Sequence, residues 1–135
     1  MSVDSAGLSP VLRLRLAAFG SASPLAIHRL QVGLARLALE QAPPAAPGQL
    51  ALALAFIEGR ALAAELLDAR QDCWTHVGSL ACGCSVADSA SAHAIMTCLE
   101  TDAAAHSPAA LVEQAERILR CGVDEARIVA VLAEG

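Results

Sequence analysis

Tyrosine and lysine are absent from this chain, and its aromatics reduce to Phe19, Phe56 and Trp74. Without lysine there is no Schiff-base chemistry and no phosphate-binding lysine of a P-loop. So few rings leave no platform for stacking successive bases. The nine basic residues are all Arg and form no stripe, and the net charge is −5, so the chain has no general attraction for nucleic acid. Long apolar runs are lacking too. The most apolar stretch, residues 50–57, is too short to span a bilayer and runs into Glu58 and Arg60, so no membrane partner is expected. The apolar segment 12–19 is interrupted by Arg13 and Arg15 and preceded by Asp4, unlike the core of a secretory leader. The expected location is therefore the cytoplasm, with reduced thiols, and an odd count of five cysteines fits no closed disulfide framework. There is no GxSxG elbow, and no His follows a Glu by three positions, as di-iron bundles require.

What is present points to helices. Of the 135 residues, 56% are hydrophobic and 17% charged, which excludes disorder, and Ala and Leu dominate. The expected fold is an all-α, single-domain helical bundle or stack of helical hairpins with about six helices over residues 10–135, after a flexible N-terminus at 1–9. Ser9-Pro10 opens a helix to Phe19, although the alternation at 11–16 also fits a short strand. Ser23-Pro24 opens a second, running to about Ala42, whose apolar residues on two sides make it central. Residues 43–48, rich in Pro, break the pattern. A long helical stretch over 49–80 is weakened at Gly59 and Gly78, and a turn at 83–85 leads into a helix ending near Thr101. Ser107-Pro108 starts the most legible helix, with Glu113–Arg117 and Glu116–Arg120 at i,i+4, and Gly122 stops it. Val123 can staple onto Ile128 across a cap at Asp124.

The densest chemistry lies between Cys73 and Cys98, which holds four of the five cysteines, two of the four histidines and the only tryptophan. Cys73 and His76 share one face of a helix, and Cys82 and Cys84 can add two thiolates from a turn. Together they would make a tetrahedral Cys3His set suited to zinc. The alternative is core packing, since Cys73, Val77, Leu80 and Cys84 fall on one helical stripe. The Cys82-Gly83-Cys84 pair could also cycle between dithiol and disulfide, but no Arg lies between Arg70 and Arg117 to lower its pKa. His28 lies on a helix flank and His106 precedes a cap. Each reads more readily as a surface or satisfied core residue than as a catalyst.

One stretch resembles a known enzyme family. Cys98, Thr101 and His106, followed by the tail around Gly122, are similar in rhythm to the all-helical AhpD and carboxymuconolactone decarboxylase family, whose thiol members carry C-x-x-C-x-x-x-H. Here Thr101 replaces the second Cys, the His comes one residue late and Ser107-Pro108 breaks the helix. The resemblance therefore implies a shared scaffold and not the dithiol relay.

These readings converge on a non-enzymatic helical protein–protein interaction module of the adaptor, chaperone-like or immunity type. It would need no cofactor, and its partner would be another protein or a second copy of itself. The alternative is a thiol- or zinc-dependent protein using Cys73, His76, Cys82 and Cys84. So short and apolar a chain should leave apolar surface uncovered, expected on helix 24–42 or on segment 50–57.

Overall fold

Three Ser-Pro dipeptides start three helices in the same way. Ser9, Ser23 and Ser107 sit in extended backbone, and each hydroxyl accepts from the amide three residues on, at Leu12 (3.1 Å), Ala26 (3.2 Å) and Ala110 (3.2 Å). The following proline fills a position whose missing N–H would have no partner anyway. Ser9 also donates to the Glu125 carboxylate, tying the start of the first helix to the last.

The computed structural model describes residues 8–39, 45–79 and 86–134, with side chains except at 76–79, 86–89 and 134. Among the described residues there are seven α-helices and no strand: α1 (Pro10–Ala17), α2 (Pro24–Arg36), α3 (Ala46–Ile57), α4 (Ala63–Ser79), α5 (Val86–Cys98), α6 (Pro108–Arg120) and α7 (Glu125–Glu134), with a 3₁₀ turn at Ala103–Ala105. The all-α bundle is as expected. None of these helices is long and apolar enough to cross a membrane.

Segment 11–16 is helical: Leu12 and Leu16, one turn apart, are buried, while Val11 and Leu14 face outward. Leu8, assigned by its polar neighbours to the tail, is buried in the core. Two helix bounds differ from the sequence reading. α2 ends at Arg36, not near Ala42. α3 begins at Ala46, inside the expected break, because Pro47 falls in its first turn, where a proline costs nothing. The long stretch 49–80 divides at Gly59, whose φ of +80° is ordinary only for glycine. The Arg60 amide bonds back to Ala55 O at 2.7 Å and closes the end of α3. The Glu65 carboxylate then accepts from Leu62 N at 2.7 Å and opens α4. Gly78 stays inside α4. Gly122, at φ +86°, ends α6, and beyond it Val123 and Ile128 are both buried in one core.

The interior is two hydrophobic cores. The first gathers Leu12, Leu16, Ile27, Leu34, Leu111, Ile118 and Ile128 from α1, α2, α6 and α7. The second gathers Val32, Leu50, Ile57, Leu66, Cys73, Ile95 and Leu99 from α2, α3, α4 and α5. Helices α2 and α5 serve both. On α5, Ala90 and Ala94 face the first core and Ala92, Ile95 and Cys98 the second. Two faces of α2 are thus spent on packing, and Leu50, Ala53 and Ile57 of α3 are buried. Among the described residues the exposed large hydrophobics are Val11, Leu14, Leu25, Leu62, Leu67 and Trp74, of which Leu25 lies on α2 and none on segment 50–57.

Candidate functional site

Between the two cores runs a buried polar seam. Nε2 of His28 donates to Cys98 O at 2.6 Å, and the ring stacks on His106 with centroids 3.7 Å apart and planes 13° from parallel. His106 places Nε2 2.8 Å from Glu100 O and Nδ1 2.6 Å from Oε1 of Gln31. Gln31 donates in turn to Ala105 O at 3.3 Å. Gln114, fully buried, donates to Gln31 O and Ala94 O, both at 3.0 Å. These bonds tie α2, α5, α6 and the 100–106 connection together. Burial lowers the His28 pKa to about 4 against the pull of its bond to Cys98, and the neighbouring His106 pushes the same way. Burial also lowers His106, opposed by its bond to Glu100. Both imidazoles are neutral near neutral pH, so His106 has a single N–H: it donates from Nε2 to Glu100 O, and Nδ1 only abuts the Gln31 amide.

The seam braces the floor of a surface cleft of about 640 Å3 between α4, α5 and α6. Helical spacing aims its residues. Arg70 and Trp74 lie one turn apart on α4, His93 and Thr97 one turn apart on α5, and Glu113 and Arg117 one turn apart on α6. Glu100, from the connection that His106 holds, forms an ion pair with Arg70. Trp74 is 60% exposed at the rim, and its ring meets that of His93 edge-on, centroids 6.2 Å apart. Desolvation first, and then the Arg117 charge, hold the His93 pKa below the ordinary imidazole range. The ion pairs among the described residues are Glu58–Arg60 and Arg70–Glu100. The two i,i+4 pairs expected on α6 are therefore not closed. Glu113 is exposed, and half-buried Arg117 stands in the cleft with no carboxylate on it among the described residues.

Of the sequence-expected metal set, only Cys73 has a described side chain. It is 1% exposed in the second core, and its Sγ donates to Ala92 O at 3.4 Å. Burial pushes its thiol up to about 11. His76 lies on α4 with its side chain outside the described residues, as are Cys82 and Cys84 altogether. Among the described residues no group of three His, Cys, Asp or Glu is placed to hold a metal ion. Cys98, of the AhpD-like stretch, is fully buried. Its sulfur bonds to Ala94 O and Gln114, and its thiol is raised to about 12, burial being the main cause. Native alkylation at about pH 8 should therefore leave Cys73 and Cys98 unmodified, with thiolate fractions about a hundredfold and a thousandfold below an ordinary cysteine. Peptide mass spectrometry after a timed iodoacetamide pulse reads this directly. Rapid labelling of either thiol in folded protein would contradict their placement.

Sequence reasoning missed the cleft. The available signal was the i,i+4 spacing of Arg70 with Trp74 and of Glu113 with Arg117, but nothing in the pattern joins the two helices. No protein-family model, no curated protein and no solved structure matches the chain.

Proposed function

We propose that this chain is a non-enzymatic protein-interaction module of the cytoplasm that engages a partner protein through the α4–α5–α6 cleft. The observation that carries the reading is Trp74. The only tryptophan of the chain stands 60% exposed at the mouth of a cleft, where an apolar ring facing water is a cost that binding would recover. Leu67, two turns earlier on α4, is a second exposed apolar side chain of that helix, and Met96, Arg70 and Arg117 line the cleft. Tryptophan, methionine and arginine are the residue types enriched at interface centres, where a few side chains carry most of the energy. The histidines of the seam support a binding reading more than a catalytic one, because both are buried and His28 Nε2 and the two His106 nitrogens face backbone and amide groups.

Selection of displayed peptides on the wild-type chain, with counter-selection on Trp74→Ala, tests the proposal. Enriched sequences should lose about 2 kcal/mol or more of binding free energy on the variant, a deficit of about thirtyfold. Clones that bind both proteins equally, or no enrichment at all, would remove the cleft as a docking site.

A further inference from the structure

Resting on that reading, we infer that the cleft recognises an acidic segment of the partner, seating one carboxylate on Arg117 with an apolar side chain beside it against Trp74. The argument begins with which charges are committed. Arg70 and Glu100 neutralise one another across the cleft. Arg117 has its i−4 neighbour Glu113 within helical reach, yet no ion pair joins them, and its charge acts instead on His93. A half-buried guanidinium with no anion on it among the described residues is the unmet electrostatic demand of the site. A planar fork of N–H donors is best met by the two oxygens of a carboxylate.

The surroundings select further. His93 is neutral at physiological pH, so it adds hydrogen-bonding capacity without a second positive charge. Thr97 spends its hydroxyl proton on His93 O at 3.0 Å and so leaves Arg117 as the charged donor of this wall. Glu113, exposed on the same wall, disfavours a second negative charge close to the first, so a single carboxylate fits better than a doubly charged group. His93 is in ring contact with Trp74 and within electrostatic reach of Arg117. The anion seat and the apolar wall therefore lie on either hand of one imidazole. A segment placing Phe or Leu next to Glu or Asp presents that combination.

Trp74 reports its own occupancy, because it is the sole tryptophan and lines the cleft. The probes are a capped tetrapeptide carrying Phe-Glu, its Phe-Gln twin, and free 3-phenylpropionate with its amide, each titrated against Trp74 fluorescence. The Glu peptide should bind at least about tenfold more tightly than its Gln twin. That preference should shrink to within about twofold in Arg117→Gln and survive in part in Arg117→Lys, which keeps the charge but not the fork. Unchanged far-ultraviolet circular dichroism and melting temperature show that each variant is folded. Equal binding of the Glu and Gln peptides overturns the anion seat while leaving the interaction module standing. Saturation by 3-phenylpropionate with no response to either peptide overturns both, since the cleft would then be a small-acid pocket. A flat signal with all four probes overturns the inference.

Discussion

Acidifying the protein from about pH 7.5 to about pH 4 is expected to remove about 3 kcal/mol of its unfolding free energy through His28 alone. The folded-state pKa of His28 is about 4, against 6.5 for the unfolded chain. Between those two values the unfolded chain binds a proton that the folded chain refuses, so each step down in pH favours unfolding. The stability is fully present above about pH 6.5 and is lost as the pH falls toward about 4. The cause is structural. A protonated His28 would put a charge in a site 2% exposed, face to face with a second imidazole at 3.7 Å. His106 is shifted in the same direction and adds to the loss. Glu58, exposed and bonded to Arg60, is also lowered from its ordinary 4.5, so its small contribution begins to be lost only at the acid end of this window. Urea midpoints across the range should fall steeply between about pH 6.5 and about pH 4 with unchanged slope. His28→Gln, which keeps a donor for Cys98 O but cannot titrate, should flatten much of that fall. Parallel curves for the two proteins would show that the acid sensitivity originates elsewhere.

Local rules carried far in this chain because its punctuation is strong. A serine followed by proline has one good use at a helix start, and all three instances were legible without a structure. Gly59 and Gly78 looked equivalent in sequence. What separates them is the chain reversal at Gly59, a demand for positive φ that only the neighbouring packing creates. The cysteine-rich window drew attention because thiols are chemically distinctive, yet Cys73 and Cys98 behave as small apolar residues in the second core. The seam was harder to see. His28 and Gln31 lie on one turn of α2, while His106 and Gln114 lie far along the chain, and each alone resembles a surface polar residue. The absence of arginine between positions 70 and 117 counted against an active thiol. It said nothing about the fold, which brings those two arginines to opposite walls of one cleft. Periodicity reports which face of a helix is buried, not which helix it will meet.

Replacing His106 by alanine should cost about 4 kcal/mol, as much as truncating a large core side chain. The ring is 4% exposed, so its loss opens a cavity beneath α2 and α5 that neighbouring groups can fill only in part. It also removes the stack on His28 and the contact of Nδ1 with the Gln31 amide, and it releases Glu100 O. Unpartnered buried polar groups make this costlier than the area alone would suggest. A domain of this size has about 5–15 kcal/mol in total, so the variant should remain folded at low temperature but melt well below the wild type. The second consequence distinguishes the seam from ordinary core. His106 holds the backbone at Glu100, and Glu100 holds Arg70 on the cleft wall. His106→Ala should therefore weaken binding at the Trp74 cleft even where circular dichroism shows it fully folded, whereas Leu16→Ala, in the first core and away from that wall, should lower stability without that effect. Equal binding by wild type and both variants under folded conditions would show that the cleft does not depend on the seam. A loss confined to His106→Ala would mean that the buried imidazole pair sets the geometry of the recognition surface.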